Sequence, residues 1–370
     1  MRPPPPPAER TKDVAIVPGL DPQRVIFVGN AATAVCWYRC ALPATFLNAD
    51  WIGVTGIPND PLAEVKKDGL RFVTGMVRNQ TILPDWNDYD VIVLQQPYGS
   101  RWLDFIKRRQ ANGCKVLYEI DDYVHAIRKL PKGEHSSADA YPAKRLRQME
   151  MCMRICDGII ASTDYIATRY RAFNDRLWVC RNGIDTGRYN LTLPERDGMH
   201  VGWAGGTGHA RAMTRWLPAV SKLMDEHEDT CFVSVGDAYA NLIRRQGRTI
   251  AVPWTSIETY PAAMTNMDVA LAPALTNAFY RGKSDLRWVE AGALGIPAIA
   301  DPDTYPELEH GVTGFHAKTA DEALELLQLL HADPGLRRRV GAAAREHVRE
   351  KRDMRYLVGQ WAEVLLMALN

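Results

Sequence analysis

The chain has 370 residues, 46% of them apolar and 24% charged, with a formal net charge of +1. That length suits two domains rather than one, and the composition is that of a folded globular protein, not a disordered or collagen-like one. No apolar run reaches the ~18 residues of a membrane-spanning helix, so no transmembrane segment is expected.

The charge is uneven. Residues 1–190 hold 26 Lys+Arg and 21 Asp+Glu, a net +5, and residues 191–370 hold 19 and 23, a net −4. A mildly basic front half suits an anionic acceptor, and equally a solvated surface. The seven cysteines are scattered and never spaced CxxC. Cys36/Cys40 and Cys152/Cys156 share helix faces but have no further metal ligands nearby, so they read as buried free thiols in a reducing, cytoplasmic setting.

The proline tract Pro3 to Pro7 has no apolar signal-peptide core, and residues 1–20 read as a disordered or extended tail. Short apolar runs then alternate with helical patterns. The expected strands are Val25–Gly29, Trp51–Thr55, Phe72–Val77, Val91–Gln96, Lys115–Ile120, Gly158–Ser162 and Leu177–Arg181. A second series follows: His200–Ala204, Cys231–Gly236, Ile250–Pro253, Val269–Pro273, Ala298–Ala300 and Gly314–Ala317. Helical patterns cover Trp102–Gln110 and Ala143–Cys156. Two strand–helix series predict an α/β protein of two doubly wound domains with parallel sheets, spanning 21–190 and 198–350. They meet near the polar, breaker-rich stretch Leu193-Pro194-Glu195-Arg196-Asp197-Gly198. A last helix over 351–370 places Tyr356, Leu357, Trp361, Val364 and Leu365 on one side.

In such folds ligands bind beyond the carboxyl ends of strands. After the first strand, Gly29-Asn30-Ala31-Ala32-Thr33 leads to Tyr38 and Arg39; small residues admit a ligand to backbone amides, or simply make a tight turn. Lys115–Ile120 ends in Asp121-Asp122, carboxylates able to bind sugar hydroxyls, accept a proton or hold a metal, or else a turn residue followed by the cap of the next element. The polar segment 126–148 reads as a lid or a solvated loop. Asn182-Gly183 signals a turn. His200–Ala204 runs into Gly205-Gly206-Thr207-Gly208-His209 with Arg211 beyond, a strand, glycine turn and helix start in the order that cradles phosphate. Val252-Pro253-Trp254 and Ile257–Tyr260 could line a base pocket, though Trp254 is read as core rather than as a stacking ring.

The densest stretch is Lys283-Ser284-Asp285 through Pro297. Ser284 is placed as a helix cap with Asp285 inside the first turn. Leu286, Val289, Ala293 and Leu294 form the buried stripe, and Gly295 and Pro297 end the helix. Lys283 stands just before the helix start, where anions bind, and Glu290 lies roughly 9 Å beyond Ser284. That is a nucleotide cradle, or a surface Lys and a rim Glu on an ordinary amphipathic helix.

Taken in order, Asn182-Gly183-Ile184-Asp185, Gly202-Trp203-Ala204-Gly205, Met267 to Pro273, Lys283-Ser284, Glu290 to Pro297 and His310 to Phe315 resemble the GT-B glycosyltransferases of the retaining family-4 (group 1) type. The similarity is clear over about 178–350 and fainter over 24–170. It implies two Rossmann-like domains facing a cleft, with the final helix crossing back to the N-terminal domain. A nucleoside-diphosphate sugar, UDP- or GDP-linked, would bind the C-terminal domain, with no obligatory metal or other cofactor. Glu290 would hold the donor ribose; Gly205 to His209, Arg211, Lys283, Ser284 and Asp285 would surround the diphosphate. Asp121 and Asp122, with Lys283, would serve the transfer itself. Gly29, Asn30, Tyr38 and Arg39 would lie on the acceptor side. The family's first glutamate, eight positions before Glu290, is here Gly282, so a donor-sugar contact must come from elsewhere. The resemblance leaves the acceptor open among a glycan, a lipid-linked glycan, a small molecule and a hydroxylated base in DNA, and the protein a monomer or homodimer. Competing readings are a non-catalytic nucleotide-sugar binder and an epimerase of the same architecture.

Overall fold

The computed structural model describes residues 18–30, 34–54, 73–76, 85–130, 141–206, 209–236, 239–243 and 247–370. The tail up to residue 17, the stretch 131–140 and the pair Thr207 and Gly208 lie outside the described residues. All thirteen expected strands are present to within two residues at each end. The chain divides into two compact units, the first taking the described residues of Met1–His125, Tyr141–Gly183 and Met354–Asn370, the second those of Ala126–Ala140 and Ile184–Asp353.

The first unit is built on β1 (Val25–Asn30), β2 (Asp50–Val54), β3 (Val73–Met76), β4 (Val91–Gln95), β5 (Lys115–Ile120), β6 (Gly158–Ala161) and β7 (Leu177–Val179). Their spatial order is β3-β2-β1-β4-β5-β6-β7. The central strands are apolar on both faces, Val91–Gln95 being buried throughout, as strands covered by helices on both sides must be. One expectation is corrected here: β3 pairs with β2 antiparallel, an edge arrangement that a doubly wound sheet tolerates. The helices are α1 (Ala34–Cys36), which passes through a π turn at Trp37–Ala41 into α2 (Leu42–Leu47), then α3 (Ser100–Ala111), α4 (Ala143–Ile155) and α5 (Asp164–Tyr170). Thr163 caps α5 by accepting from the Ile166 amide at 3.2 Å.

The second unit is a six-stranded sheet in the order β10-β9-β8-β11-β12-β13, from β8 (Met199–Gly205), β9 (Thr230–Gly236), β10 (Thr249–Val252), β11 (Val269–Ala272), β12 (Ala298–Ala300) and β13 (Phe315–His316). Every adjacent pair is parallel. Its helices are α6 (Ala210–Glu226), α7 (Tyr260–Met264), α8 (Ala278–Arg281), α9 (Leu286–Ala293), α10 (Ala320–Ala332) and α11 (Pro334–Lys351). A core including Trp203, Leu223, Phe232, Ile299 and Leu327, each at most 3% exposed, lies between the sheet and these helices.

The last helix, α12 (Met354–Leu369), buries Leu357, Trp361, Val364 and Leu365 within the first unit. Trp361 meets Phe27 edge-on at 5.7 Å. Tyr356, assigned to the same face from its spacing, is instead 64% exposed. The α-helical turn angle carries it past the edge of the stripe that Leu357, Trp361 and Leu365 define.

In both sheets the strand order reverses beside the first strand of the series, between β1 and β4 and between β8 and β11. These are the switch points where connections depart to opposite sides and leave a crevice at the carboxyl ends.

Candidate functional site

At the second switch point the glycines do steric work. Gly205 has φ +150° and Gly236, ending β9, has φ +95°; a Cβ on Gly236 would lie 2.6 Å from the Gly205 carbonyl oxygen. Only glycine allows the two strand ends to come this close. Over them lies Trp254, whose ring atoms would stand 3.2–3.4 Å from Cβ atoms built on Gly206 and Gly236. The indole is 61% exposed, so its assignment to the core is wrong. Both glycines lack the side chains that would cover it, and one face of a large ring is left to solvent.

Helix α9 supplies the charges. It ends as its sequence predicts: Gly295 has φ +78°, and the amides of Ile296 and Gly295 donate to Ala291 and Gly292 at 3.0 and 2.8 Å, a Schellman closure. Its start differs from expectation. Asp285, not Ser284, is the N-cap, and its side chain makes no capping bond. Both Asp285 oxygens instead accept from Arg352 at 2.6 Å each, and Arg352 also donates to Glu307 at 3.0 Å. Asp285 is therefore a strut between α9 and the end of α11, not a donor-site group.

Glu290 is not a rim residue. It is 5% exposed and accepts from the Tyr260 hydroxyl at 3.4 Å. Burial and the neighbouring carboxylate push the Tyr260 phenol well above its usual pKa, so it stays a hydrogen-bond donor. A small cavity lined by Ala204, Tyr260, Met264, Arg287 and Glu290 opens beside this pair. A buried carboxylate that lines a cavity can accept from a hydroxyl that enters it.

Arg287, which the sequence reading passed over, completes the group. It lies three residues before Glu290, on the same helix face. Its guanidinium stacks on Trp203 with Cζ 4.3 Å from the ring centroid, and its Nε donates to the Ala204 carbonyl at 3.3 Å. It borders Gly205, where a Cβ would meet its Nε and Nη2 at 3.2 Å. The i, i−3 spacing from Glu290 was the available signal. Lys283, on the turn between α8 and α9, holds Nζ 4.6 Å from the Phe279 ring centroid. His209 is 7% exposed and packs between Trp203 and Tyr280 at 5.7 and 5.5 Å, which makes it a spacer in the wall. Arg211 is exposed on the first turn of α6.

The first switch point is arranged differently. A Cβ on Gly29 would lie 2.6 Å from Cys36 Sγ and 2.8 Å from Cys40 Sγ, so this glycine admits a helix rather than a ligand. Tyr38 is 6% exposed and Arg39 fully buried. Arg39 donates to Glu119 at 2.6 Å, the Cys180 carbonyl at 2.5 Å and Asn182 at 2.9 Å, and its Cζ stands 4.8 Å from the Trp361 ring centroid. Gln95 adds a bond to Glu119 at 3.2 Å. Desolvation raises the Glu119 pKa, and Arg39 and Gln95 act against that rise. Tyr38 and Arg39 are thus structural; the π turn that carries them aims both inward. Of Asn30, only the backbone in β1 is described.

Asp121 and Asp122 do sit at the carboxyl end of β5, half-buried. Asp121 accepts from Gln96 at 3.1 Å, and Gln96 accepts from Tyr141 at 3.2 Å. Gln96 has φ +48°, a left-handed backbone uncommon outside glycine and frequent at functional sites. It follows β4 directly at the switch point, and the sequence carried no sign of it. Burial pushes the Tyr141 phenol up to about 12. Asp122 is tied through its carbonyl, which accepts from the Tyr170 hydroxyl at 3.5 Å.

Residues 214–363 match the family model described as Glycosyl transferase-like. No curated protein matches the chain. Among solved structures it is similar to sucrose-phosphate synthase from Thermosynechococcus elongatus, with TM-score 0.65 and 15% identity over 93% of this chain and 98% of that one. It is also similar to Anabaena HepE in complex with UDP and glucose, with TM-score 0.62 and 14% identity over 92% and 99%. A third, the glycosyltransferase from Rickettsia africae, has TM-score 0.62 and 15% identity over 94% and 98%. Residues 214–363 thus match a glycosyl transferase-like model, and the chain as a whole has the GT-B fold of these solved glycosyltransferases.

Proposed function

We propose that the second unit binds a nucleoside-diphosphate sugar, a UDP-sugar first, and that the protein transfers the sugar to an acceptor hydroxyl with retention. The observation that carries this is the buried Glu290 carboxylate beside the Arg287 guanidinium, at a glycine-lined switch point. Glu290 accepts from the ribose hydroxyls. Arg287, Lys283 and the backbone at Gly205–Gly206 meet the diphosphate, and the exposed Trp254 ring gives the base a stacking surface. HepE has been captured with UDP-glucose, which makes UDP the first donor to test.

In the transfer the anomeric carbon–oxygen bond to the β-phosphate breaks while the acceptor oxygen attacks from the same face. The cations stabilise the charge that grows on the leaving diphosphate. The acceptor proton passes to a phosphate oxygen of that leaving group. Asp121, held by Gln96, is assigned to the acceptor hydroxyl. Ser284 and Arg211 are the remaining polar candidates around the donor.

The test is a thermal-shift and turnover screen over UDP-, GDP-, ADP- and TDP-sugars. One donor should raise the melting temperature and release free nucleoside diphosphate slowly, even without acceptor. Binding without release identifies a non-catalytic binder, and donor isomerisation identifies an epimerase. No shift with any donor overturns the nucleotide-sugar reading.

A further inference from the structure

Away from the glycine turns, at the amino end of β9, three metal-ligating side chains from separate elements converge. His227 is the C-cap of α6, Asp229 lies on the turn into β9, and His331 is in the last turn of α10. Their candidate ligand atoms all lie within 4.8 Å of one another. The two imidazoles face each other with centroids 3.8 Å apart and planes at 27°, and His331 Nε2 is 2.9 Å from an Asp229 oxygen.

The scaffold under this cluster is rigid. Leu223, Met224, Leu327 and Leu330 are completely buried between α6, α10 and the sheet. Gln328 on α10 donates to Glu226 on α6 at 2.7 Å. Arg248 Nη1 donates to the carbonyls of Met224, His227 and Glu228 at 2.7, 3.0 and 3.4 Å, which pins the backbone that carries two of the three groups. The nearby cations are directed at backbone: Arg248 at those carbonyls and Arg337 at the Leu330 carbonyl, at 2.7 Å.

We infer that His227, Asp229 and His331 form a site for a divalent transition metal of the Zn²⁺ class. Two imidazoles and one carboxylate are the ligands such borderline ions prefer, whereas Mg²⁺ and Ca²⁺ select oxygen sets. Bonds of about 2.0–2.2 Å in a tetrahedron hold ligand atoms roughly 3.4 Å apart. Side-chain rotation of about 1 Å closes the triad, with the metal entering where the His331–Asp229 hydrogen bond now stands. Water completes the fourth position. The metal would staple the α6–β9 turn to the end of α10, so its effect is on the stability of this unit and not on the chemistry at Glu290.

The test uses the untagged full-length protein, stripped with chelator and titrated with Zn²⁺ by calorimetry and with Co²⁺ by visible absorption. One metal ion per chain is expected, with a tetrahedral Co²⁺ spectrum that Zn²⁺ abolishes and a rise in melting temperature on binding. His227→Ala and His331→Ala should each weaken binding at least ~10-fold, and the double variant should bind none at this stoichiometry. His310→Ala, at a second imidazole pair of the same unit with ring centroids 6.1 Å apart, should bind as the wild type does. Zn²⁺ binding that is absent in the wild type, unchanged in the double variant, or matched by Mg²⁺ at equal concentration would overturn the assignment.

Discussion

The two units share a switch-point architecture and use it in opposite ways. At β1/β4 the strand-end glycine is filled by the thiols of Cys36 and Cys40, and the charged residues Arg39 and Glu119 face each other in a fully buried pair. At β8/β11 the glycines border the exposed Trp254 indole and the Arg287 guanidinium, and Arg287 and Glu290 line a cavity. A glycine after a strand therefore does not by itself mark a ligand site. What separates the two is whether the charges beside it are paired in the interior, as Arg39 and Glu119 are, or line a cavity, as Arg287 and Glu290 do.

The largest expected effect breaks the closed arrangement. Arg39→Ala leaves Glu119 buried without its cation and should destabilise the fold by about 3–5 kcal/mol, measured by urea unfolding. Replacing both partners with apolar residues of similar volume should recover most of that loss. Activity lost with stability unchanged would show that Arg39 belongs to a working site after all. At the open arrangement the prediction is reversed. Arg287→Ala should lower turnover by about 10²–10³-fold while the melting temperature moves little, and Glu290→Gln should chiefly weaken donor binding. A smaller loss, about 1–3 kcal/mol of donor affinity, is expected for Trp254→Ala if a base stacks there; Trp254→Phe should keep much of it. Equal donor affinity in Trp254→Ala removes the stacking role and leaves the Glu290 assignment standing.

The smallest effect concerns pH. His125 contacts Glu150 at 3.1 Å and the Tyr170 hydroxyl at 3.0 Å, and burial, the leading cause, lowers its pKa from 6.5. The folded state then binds fewer protons than the unfolded state just below that value. Stability is fully present above pH 6.5 and declines as pH falls towards the folded pKa. His125→Gln should flatten that part of the unfolding-midpoint profile; an identical slope in the variant means the proton uptake lies elsewhere. His347, also lowered by burial, should retain its own share.

Much of the candidate site was legible. The helix at 286–293 with its Gly295 closure, and Glu290 as the odd charge on it, follow from spacing and capping rules. Arg287 was visible in principle, since three residues from Glu290 is one helical turn, but on a linear string it resembles any solvated arginine. Gln96 was not visible: nothing in a glutamine announces a left-handed backbone that only the β4–α3 turn imposes. Ser284 and Asp285 show the limit of local rules. Both suit a helix start, and the choice went to Asp285 because Arg352, 67 residues away, holds its carboxylate.

Sequence by itself determined the elements, their order and the doubly wound class, because hydrophobic periodicity and glycine and proline breaks act over a few residues. It also singled out Glu290 and the glycine turn at 205–206. Only the tertiary structure decided which charges are paired in the interior and which line a cavity. Arg39 finds Glu119 across 80 residues, Asp285 finds Arg352, and His227 and Asp229 find His331 across the α6–α10 contact. Partners that distant are chosen by packing, and the energy of a buried charge depends on that choice more than on the residue type itself.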